Sequence, residues 1–195
     1  MTPSTSASPR RRVLLTRSEE DNAEWAPRLA DRNAVPVALP CIHCERIDTP
    51  ALRAGLAAAG ADADWLAFTS RRGVEAFAAL HPQALPRAHV AVVGAATAAA
   101  ARERLGRVDL VGGDGTATGL GATLARDGDL KNRPRVLLAL AENAGDTLER
   151  ALTAAGARCT RFNVYRTVPA PPAATKRALS ALGADNVIFA SPTAV

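Results

Sequence analysis

Five short apolar runs constrain this chain's fold more than any other feature: VLLTR at 13–17, WLAFTS at 65–70, HVAVVGAAT at 89–97, RVLLALAEN at 135–143 and NVIFASPT at 186–193. Each is rich in Val, Ile, Leu and Phe, lacks strict polar alternation and runs into a small or hydroxyl-bearing turn. Strands buried on both faces have no solvent side to mark with polar residues, so the pattern predicts a parallel sheet covered by helices on both faces. Ligands of open α/β sheets bind beyond the carboxyl ends of the strands. Thr16, Thr69, Ser70, Gly94, Thr97, Ser191 and Thr193 stand at those ends and are the first candidates for function.

Between the strands, apolar and small residues recur at helical spacing. Ala23, Trp25, Ala26, Leu29 and Ala30 predict a helix over 21–32, with Ser18 and Asp21 as caps. The alternation continues as helices over 51–59, 71–80, 96–104, 117–126 and 145–155 and strands over 64–69, 89–94, 107–111 and 134–140, then a helix over 174–182 and a strand over 186–190. Two extended, proline-marked segments interrupt it. VPVALPCIHCERI at 35–47 carries Pro36 and Pro40, which forbid a central ladder over its whole length, and RCTRFNVYRTVPAPP at 158–172 ends in a semi-rigid Pro/Ala stretch. The expected layout is discontinuous: an outer domain begun by 10–40, a linker strand over 41–47, an inserted inner α/β domain over 48–163, a return linker over 164–172, and the outer domain resumed over 173–195.

Composition narrows the class of function. A 48% hydrophobic content suffices for a packed core, and neither a run of 18 apolar residues nor a signal-peptide pattern is present. A soluble cytoplasmic protein that neither spans nor binds a membrane is expected, and three uneven cysteines fit a reducing compartment. The net charge of +5 invites a nucleic-acid reading, but aromatic content is 4% and only Arg10–Arg12 form a basic run, so no nucleic-acid partner is expected. A basic balance suits an anionic small molecule equally well.

The remaining motifs have bland alternatives. Cys41-Ile-His-Cys44 has C-x-x-C spacing but no second pair at zinc spacing, and strand geometry sends the two thiols to opposite faces, so no metal is expected. The glycines of GGDGTATGLG at 112–121 lack a phosphate-loop lysine and read as a turn into a helix at Thr116 or Thr118. Thr69, Ser70 and Ser191 are either helix N-caps or part of helix starts whose backbone amides attract carboxylates. Tyr165, the one tyrosine, reads on composition alone as a half-buried packing residue.

Taken together, the chain resembles the uroporphyrinogen-III synthase family. The resemblance is carried by VLLTR at 13–17, LAFTSRRGVEAF at 66–77, VAVVGAATAAAA at 90–101, GTATGLGATL at 115–124, RVLLALAENAGDTLERALTAAGA at 135–157, VYRTVP at 164–169 and VIFASPTAV at 187–195. It implies two flavodoxin-like parallel-sheet α/β domains joined by a two-stranded linker, with a site in the cleft between them and no cofactor. The implied substrate is hydroxymethylbilane, a linear tetrapyrrole bearing carboxylates on every ring, closed with inversion of ring D and loss of water by a monomer. Carried over by position, the substrate contacts are Thr16, Arg17, Thr69, Ser70, Gly94, Ala95, Ala96, Thr97, Ser191 and Thr193. Tyr165, in V-Y-x-T, is the residue that assists departure of the hydroxyl, and a neutral phenol suits that task.

Two departures from the family pattern matter. Ala141-Glu142-Asn143 stands where relatives often carry Arg-Gly, which removes an expected carboxylate contact. The family's C-terminal βα units do not follow Val195, so the expectation is an incomplete outer domain and low activity. The rival reading is a non-catalytic two-lobed anion-binding module, or an inactive synthase.

Overall fold

The computed structural model describes residues 10–81, 87–171 and 179–189. Its elements in chain order are β1 (Arg12–Leu15), α1 (Glu19–Ala30), β2 (Val35–Ala38), β3 (Ile42–Arg46), α2 (Pro50–Ala61), β4 (Trp65–Phe68), α3 (Arg71–Leu80), β5 (His89–Val92) and α4 (Ala95–Leu105). Then come β6 (Leu110–Val111), α5 (Ala117–Asp127), β7 (Arg135–Ala141), α6 (Thr147–Ala154), β8 (Arg158–Pro169) and β9 (Asn186–Ile188). The chain divides into two compact units, one of Met1–Cys44 with Thr167–Val195 and the other of Glu45–Arg166. Both divisions fall inside strands. β3 and β8 are sheet neighbours, and Ile47 N–H donates to Val164 while Ala170 N–H donates to Cys41, so the two strands run antiparallel.

The first unit carries a three-stranded parallel sheet in the order β2-β1-β9. β1 is central and its Val13, Leu14 and Leu15 are buried. Pro36 sits within β2, which lies at the sheet edge, where a missing N–H breaks no central ladder. α1 begins at Glu19, two residues earlier than the helical spacing predicts, because Ser18 caps it and Glu19, Glu20 and Asp21 complement the positive end of the helix. Of the helix expected over 174–182, the described part is a 3-10 turn at Leu179–Leu182, and the remainder lies outside the described residues.

In the second unit the sheet order is β3-β8-β7-β4-β5-β6, with β8, β7, β4, β5 and β6 parallel. Its strands alternate between two apolar cores. Leu66, Phe68, Val90, Val92, Leu137, Ala139 and Val164 pack on one side with Leu56 of α2, Val74 and Phe77 of α3 and Ala98 of α4. Ala67, Ala91, Leu110, Val136, Leu138 and Leu140 pack on the other with Leu120 and Leu124 of α5 and Leu148 and Leu152 of α6. Each buried Leu contributes about 1.5–3 kcal/mol relative to exposure, which is why both faces are apolar and polar alternation is missing.

An aspartate stands directly before three of the strands and does the same work in both units. Asp64, Asp109 and Asp185 accept the N–H of Arg135, Val90 and Arg12 respectively, each at 2.7 Å, in the neighbouring strand. Each sheet therefore opens with charge-assisted bonds that align the amino ends of adjacent strands. Asp109 also accepts both Nε and a terminal nitrogen of Arg107, at 2.9 and 2.6 Å, so residues 107–109 form a clasp and the strand expected over 107–111 shortens to Leu110–Val111.

Burial pushes the Asp109 carboxyl up, but bonds from Arg107, the Val90 amide and His89 more than offset this and hold it at about 2, below the ordinary 3.8. A folded value below the unfolded one stabilises the fold fully above about pH 4, and the contribution is lost as pH falls toward the folded value. Asp109→Asn is expected to lower stability at neutral pH by about 1–2 kcal/mol after allowance for solvent screening. Chemical denaturation at descending pH is the check: the gap between wild type and variant closes in acid, and a gap independent of pH would refute the assignment.

Candidate functional site

The connection reverses between β4 and β7. These strands are neighbours, yet α3 after β4 packs against one core and α6 after β7 against the other. Such a switch point leaves a crevice at the carboxyl ends of the two strands. Here it is flanked by the Thr69–Ser70 turn and by the turn from Ala141 to Asp146.

Tyr165 reaches this crevice from β8 through a β-bulge. β8 pairs with β7 in regular register from Arg158↔Arg135 to Asn163↔Leu140, then the register shifts and Tyr165 pairs with Ala141, leaving Val164 as the extra residue. Strict alternation would place Phe162 and Val164 on the α3 side and turn Tyr165 away. The bulge instead lets Phe162, Val164 and Tyr165 all pack against the core that α2, α3 and α4 share. The Tyr165 hydroxyl then lies 3.0 Å from Ser70 Oγ.

Ser70 is itself the N-cap of α3 and accepts the Gly73 N–H at 3.0 Å. A Cβ at Gly73 would stand 2.8 Å from the Ala139 carbonyl oxygen and 3.2 Å from Ser70 Oγ. Only glycine lets the first turn of α3 approach β7 this closely. Arg71 and Arg72 occupy the same turn, where the helix dipole is positive, and Arg71 lies 3.7 Å from Glu75. Both cations add to the positive potential of the helix start.

The turn after β7 is held from beneath by Arg161. One of its terminal nitrogens donates to the Ala141 and Ala144 carbonyls at 3.1 and 2.8 Å, the other to Gly145 at 3.4 Å, and Nε donates to Asn163 at 3.0 Å. Glu142 N–H donates to the Tyr165 carbonyl, so the turn and the tyrosine backbone are joined. Ala141-Glu142-Asn143 thus forms an ordered wall with no basic side chain of its own.

At the end of β5, Gly94 caps α4 without a side-chain bond, and Ala95 and Ala96 in the first turn of the helix are exposed. The Thr97 side chain is buried on the same stripe as Ala98, Ala100 and Ala101. The glycine run serves packing. Thr116 caps α5 by accepting Gly119 N–H, a Cβ at Gly119 would collide with Asp114, and one at Gly121 would press on Ala151 of α6 at 3.0 Å.

In the first unit, the Thr16 hydroxyl is buried and donates to the Ile188 carbonyl at 2.9 Å, joining β1 to β9. That bond gives Thr16 a structural task between the two strands. Arg17 Nε bonds Asp21 at 2.9 Å, and Asn22 holds the Leu15 and Arg17 carbonyls, so Arg17 braces the start of α1. Ser191 and Thr193 lie outside the described residues. Cys41 Sγ lies 3.4 Å from the Leu39 carbonyl and Cys44 Sγ 3.7 Å from Thr167 Oγ1, and both are free thiols. The structure thus brings the Tyr165 and Ser70 hydroxyls together, with Thr69 preceding Ser70 in the turn after β4, and places Gly94–Ala96 at the end of β5.

Comparison with known proteins adds a family. A family model described as "Uroporphyrinogen-III synthase HemD" matches residues 23–195. The chain is 30% identical over 191 residues to a chloroplastic uroporphyrinogen-III synthase of rice, Oryza sativa subsp. japonica, covering 94% of the chain and 62% of the relative. It superposes on a uroporphyrinogen III synthase of Thermus thermophilus with TM-score 0.60 and 22% identity, over 82% of this chain and 64% of that one. For the uroporphyrinogen-III synthetase of Helicobacter pylori the values are 0.55 and 16%, over 94% and 75%. At such identities the superpositions speak to the fold alone. The chain spans less than two thirds of the rice and Thermus proteins.

Arg161 offers a test of the site that needs no activity. Arg161→Met keeps the aliphatic stem and removes the donors, and is expected to cost about 1–3 kcal/mol because the carbonyls it served lose their partner. Amide hydrogen exchange should quicken over residues 141–146 and leave β4 and β5 unchanged. Unchanged exchange in that turn would show that Arg161 does not hold it.

Proposed function

The chain belongs to the uroporphyrinogen-III synthase family, and on that premise we propose that it cyclises hydroxymethylbilane to uroporphyrinogen III, with inversion of ring D and loss of water, as a step of tetrapyrrole biosynthesis. The observation that carries the reading is the Tyr165 hydroxyl held 3.0 Å from Ser70 at the switch-point crevice. A phenol placed there is a neutral proton donor at a strand end where ligands of such sheets bind. Arg71 and Arg72 at the start of α3, and the exposed first turn of α4 at Ala95 and Ala96, supply positive potential suited to carboxylates.

In this reading Tyr165 protonates the hydroxyl on ring A as its C–O bond breaks, and water leaves. The remaining task is positioning: the substituted carbon of ring D must attack the azafulvene before the unsubstituted carbon does, since closure without inversion competes. Thr69, Ser70 and Gly94–Ala96 line that task in the second unit. Arg17 in the first unit is a further candidate for a carboxylate, alongside its bracing of α1. Dehydration and ring closure need no redox change, so the proposal includes no cofactor. It also assigns a cytoplasmic monomer, with residues 48–163 as the inner domain and the segments 41–47 and 164–172 as the crossings. Among the described residues no helix is long and apolar enough to cross a membrane.

Incubation with freshly prepared hydroxymethylbilane and analysis of the product isomers tests the proposal. The type III isomer is expected above the uncatalysed background, and a product confined to the type I isomer would sink it. Tyr165→Phe should lower kcat by about ten- to a thousandfold with KM little changed, because the donated proton matters chiefly in the transition state. A variant of normal stability that keeps the wild-type rate would reduce Tyr165 to a packing residue.

A further inference from the structure

We propose that Ser70 is a positioning residue which donates its hydroxyl proton to the phenol oxygen of Tyr165, fixing the ring and making the phenol a stronger acid. The bond itself stands on geometry, while its catalytic consequence rests on the reading of Tyr165 as the proton donor.

Hydrogen-bond accounting gives the direction. Ser70 Oγ has two partners among the described residues, the Gly73 N–H and the Tyr165 hydroxyl, each at 3.0 Å. The amide can only donate, so one lone pair of Oγ is taken by the cap. If Tyr165 also donated, Oγ would accept twice and its own proton would have no acceptor among the described residues, a costly state for a partly buried hydroxyl. Donation from Ser70 to Tyr165 gives the Ser70 proton an acceptor and leaves its oxygen to the Gly73 amide. It forms a chain in which Gly73 N–H polarises Ser70 and Ser70 polarises the phenol, and such chains strengthen each member.

The surroundings favour the same direction. Ser70 caps α3, so its oxygen lies at the positive end of the helix dipole, and Arg71 and Arg72 follow it directly. That field stabilises negative charge on the phenol oxygen more than on a group away from the helix start. Packing places both hydroxyls. Tyr165 is set by the bulge and by Val164 beside it, and Ser70 by the close approach of Gly73 to Ala139.

In the reaction, the C–O bond of the departing group breaks with its electron pair on oxygen, which takes the Tyr165 proton and leaves as water. The phenolate so formed is held by the Ser70 O–H and the helix start. It recovers a proton when the closed macrocycle loses one on regaining aromaticity, so no outside reagent is needed.

Tyr165 is the one tyrosine of the chain, so the ultraviolet absorbance of phenolate in a pH titration reports a single group. The experiment compares wild type with Ser70→Ala, Ser70→Gly and Ser70→Thr. Glycine caps helices nearly as well as serine, which keeps a folded variant available if alanine weakens α3. The midpoint is expected to rise by about one pH unit, tenfold in acid strength, in Ser70→Ala and Ser70→Gly, and to stay at the wild-type value in Ser70→Thr. Thr116→Ala, which removes a like cap from α5, should lower stability without moving the midpoint.

A midpoint that falls or stays put in the alanine and glycine variants overturns the donation, whatever the isomer assay gives. If the titration shifts as expected, kcat should drop about tenfold in both variants with KM little changed, and threonine should restore it. A shifted titration with an unchanged kcat overturns the positioning role and leaves the assignment of the overall reaction untouched.

Discussion

The extra residue in β8 sets the side of the sheet on which Tyr165 lies, and the geometry of the crevice follows from it. With regular pairing the ring would turn toward the face covered by α5 and α6, together with Cys159. The register shift after Leu140 places it against the other core, within reach of Ser70. The arrangement needs two further concessions from the chain: a glycine at position 73, so that α3 can sit beside the Ala139 carbonyl, and a cation at Arg161, so that the turn after β7 stays folded. Each concerns a different strand end, and all three meet where the connections of β4 and β7 part to opposite faces.

The opposite end of the sheet shows how the fold keeps that crevice free of structural duties. Alignment of the strands is set at their amino ends by Asp64 and Asp109 in this sheet, as by Asp185 in the other, each bonding an amide at the start of a neighbouring strand. These carboxylates work at the amino ends, so the carboxyl ends need no charged groups to fix register. The contrast with the first unit is instructive. There Thr16, at the carboxyl end of β1, ties β1 to β9, and the hydroxyl that sequence position marks for a ligand is occupied within the sheet.

What could be read from the sequence follows from what leaves a periodic trace. Strands buried on two sides and helices of 3.6 spacing do, so Leu66 to Phe68, Val90 to Val92 and Val136 to Leu140 are recognisable as sheet core from composition alone. Thr97 also left a trace that a strand-end argument overlooks, since it shares a helical stripe with Ala98 and Ala101. The bulge left none: RFNVYR holds neither glycine nor proline, and the shift arises from tertiary pairing between β7 and β8. Arg161 looks like any scattered cation, because the carbonyls it serves lie in a turn about twenty residues earlier. Cross-strand capping by Asp64, Asp109 and Asp185 was visible as an aspartate directly before an apolar run, although its purpose appears only when the neighbouring strand is known.

The electrostatics of the crevice bear on why hydroxyls rather than ionised side chains meet there. The proposed substrate, with a carboxylate on every side, would require positive potential, yet a cation placed against its departing hydroxyl would oppose the positive charge that would grow on it as water left. The structure separates the two demands. Arg71 and Arg72 and the amides of α3 and α4 provide a positive field at the helix starts, while the groups in contact with each other, Ser70 and Tyr165, are neutral. A neutral donor can give up a proton and become an anion at the moment when positive charge develops nearby, and the helix start then stabilises that anion. An arginine in the tyrosine's place could hold a carboxylate more tightly, but it could not donate its proton at neutral pH. In the proposed reaction the helix start that would attract the carboxylates would therefore also sustain the phenolate, and this dual use would couple binding and proton transfer at the Ser70 cap.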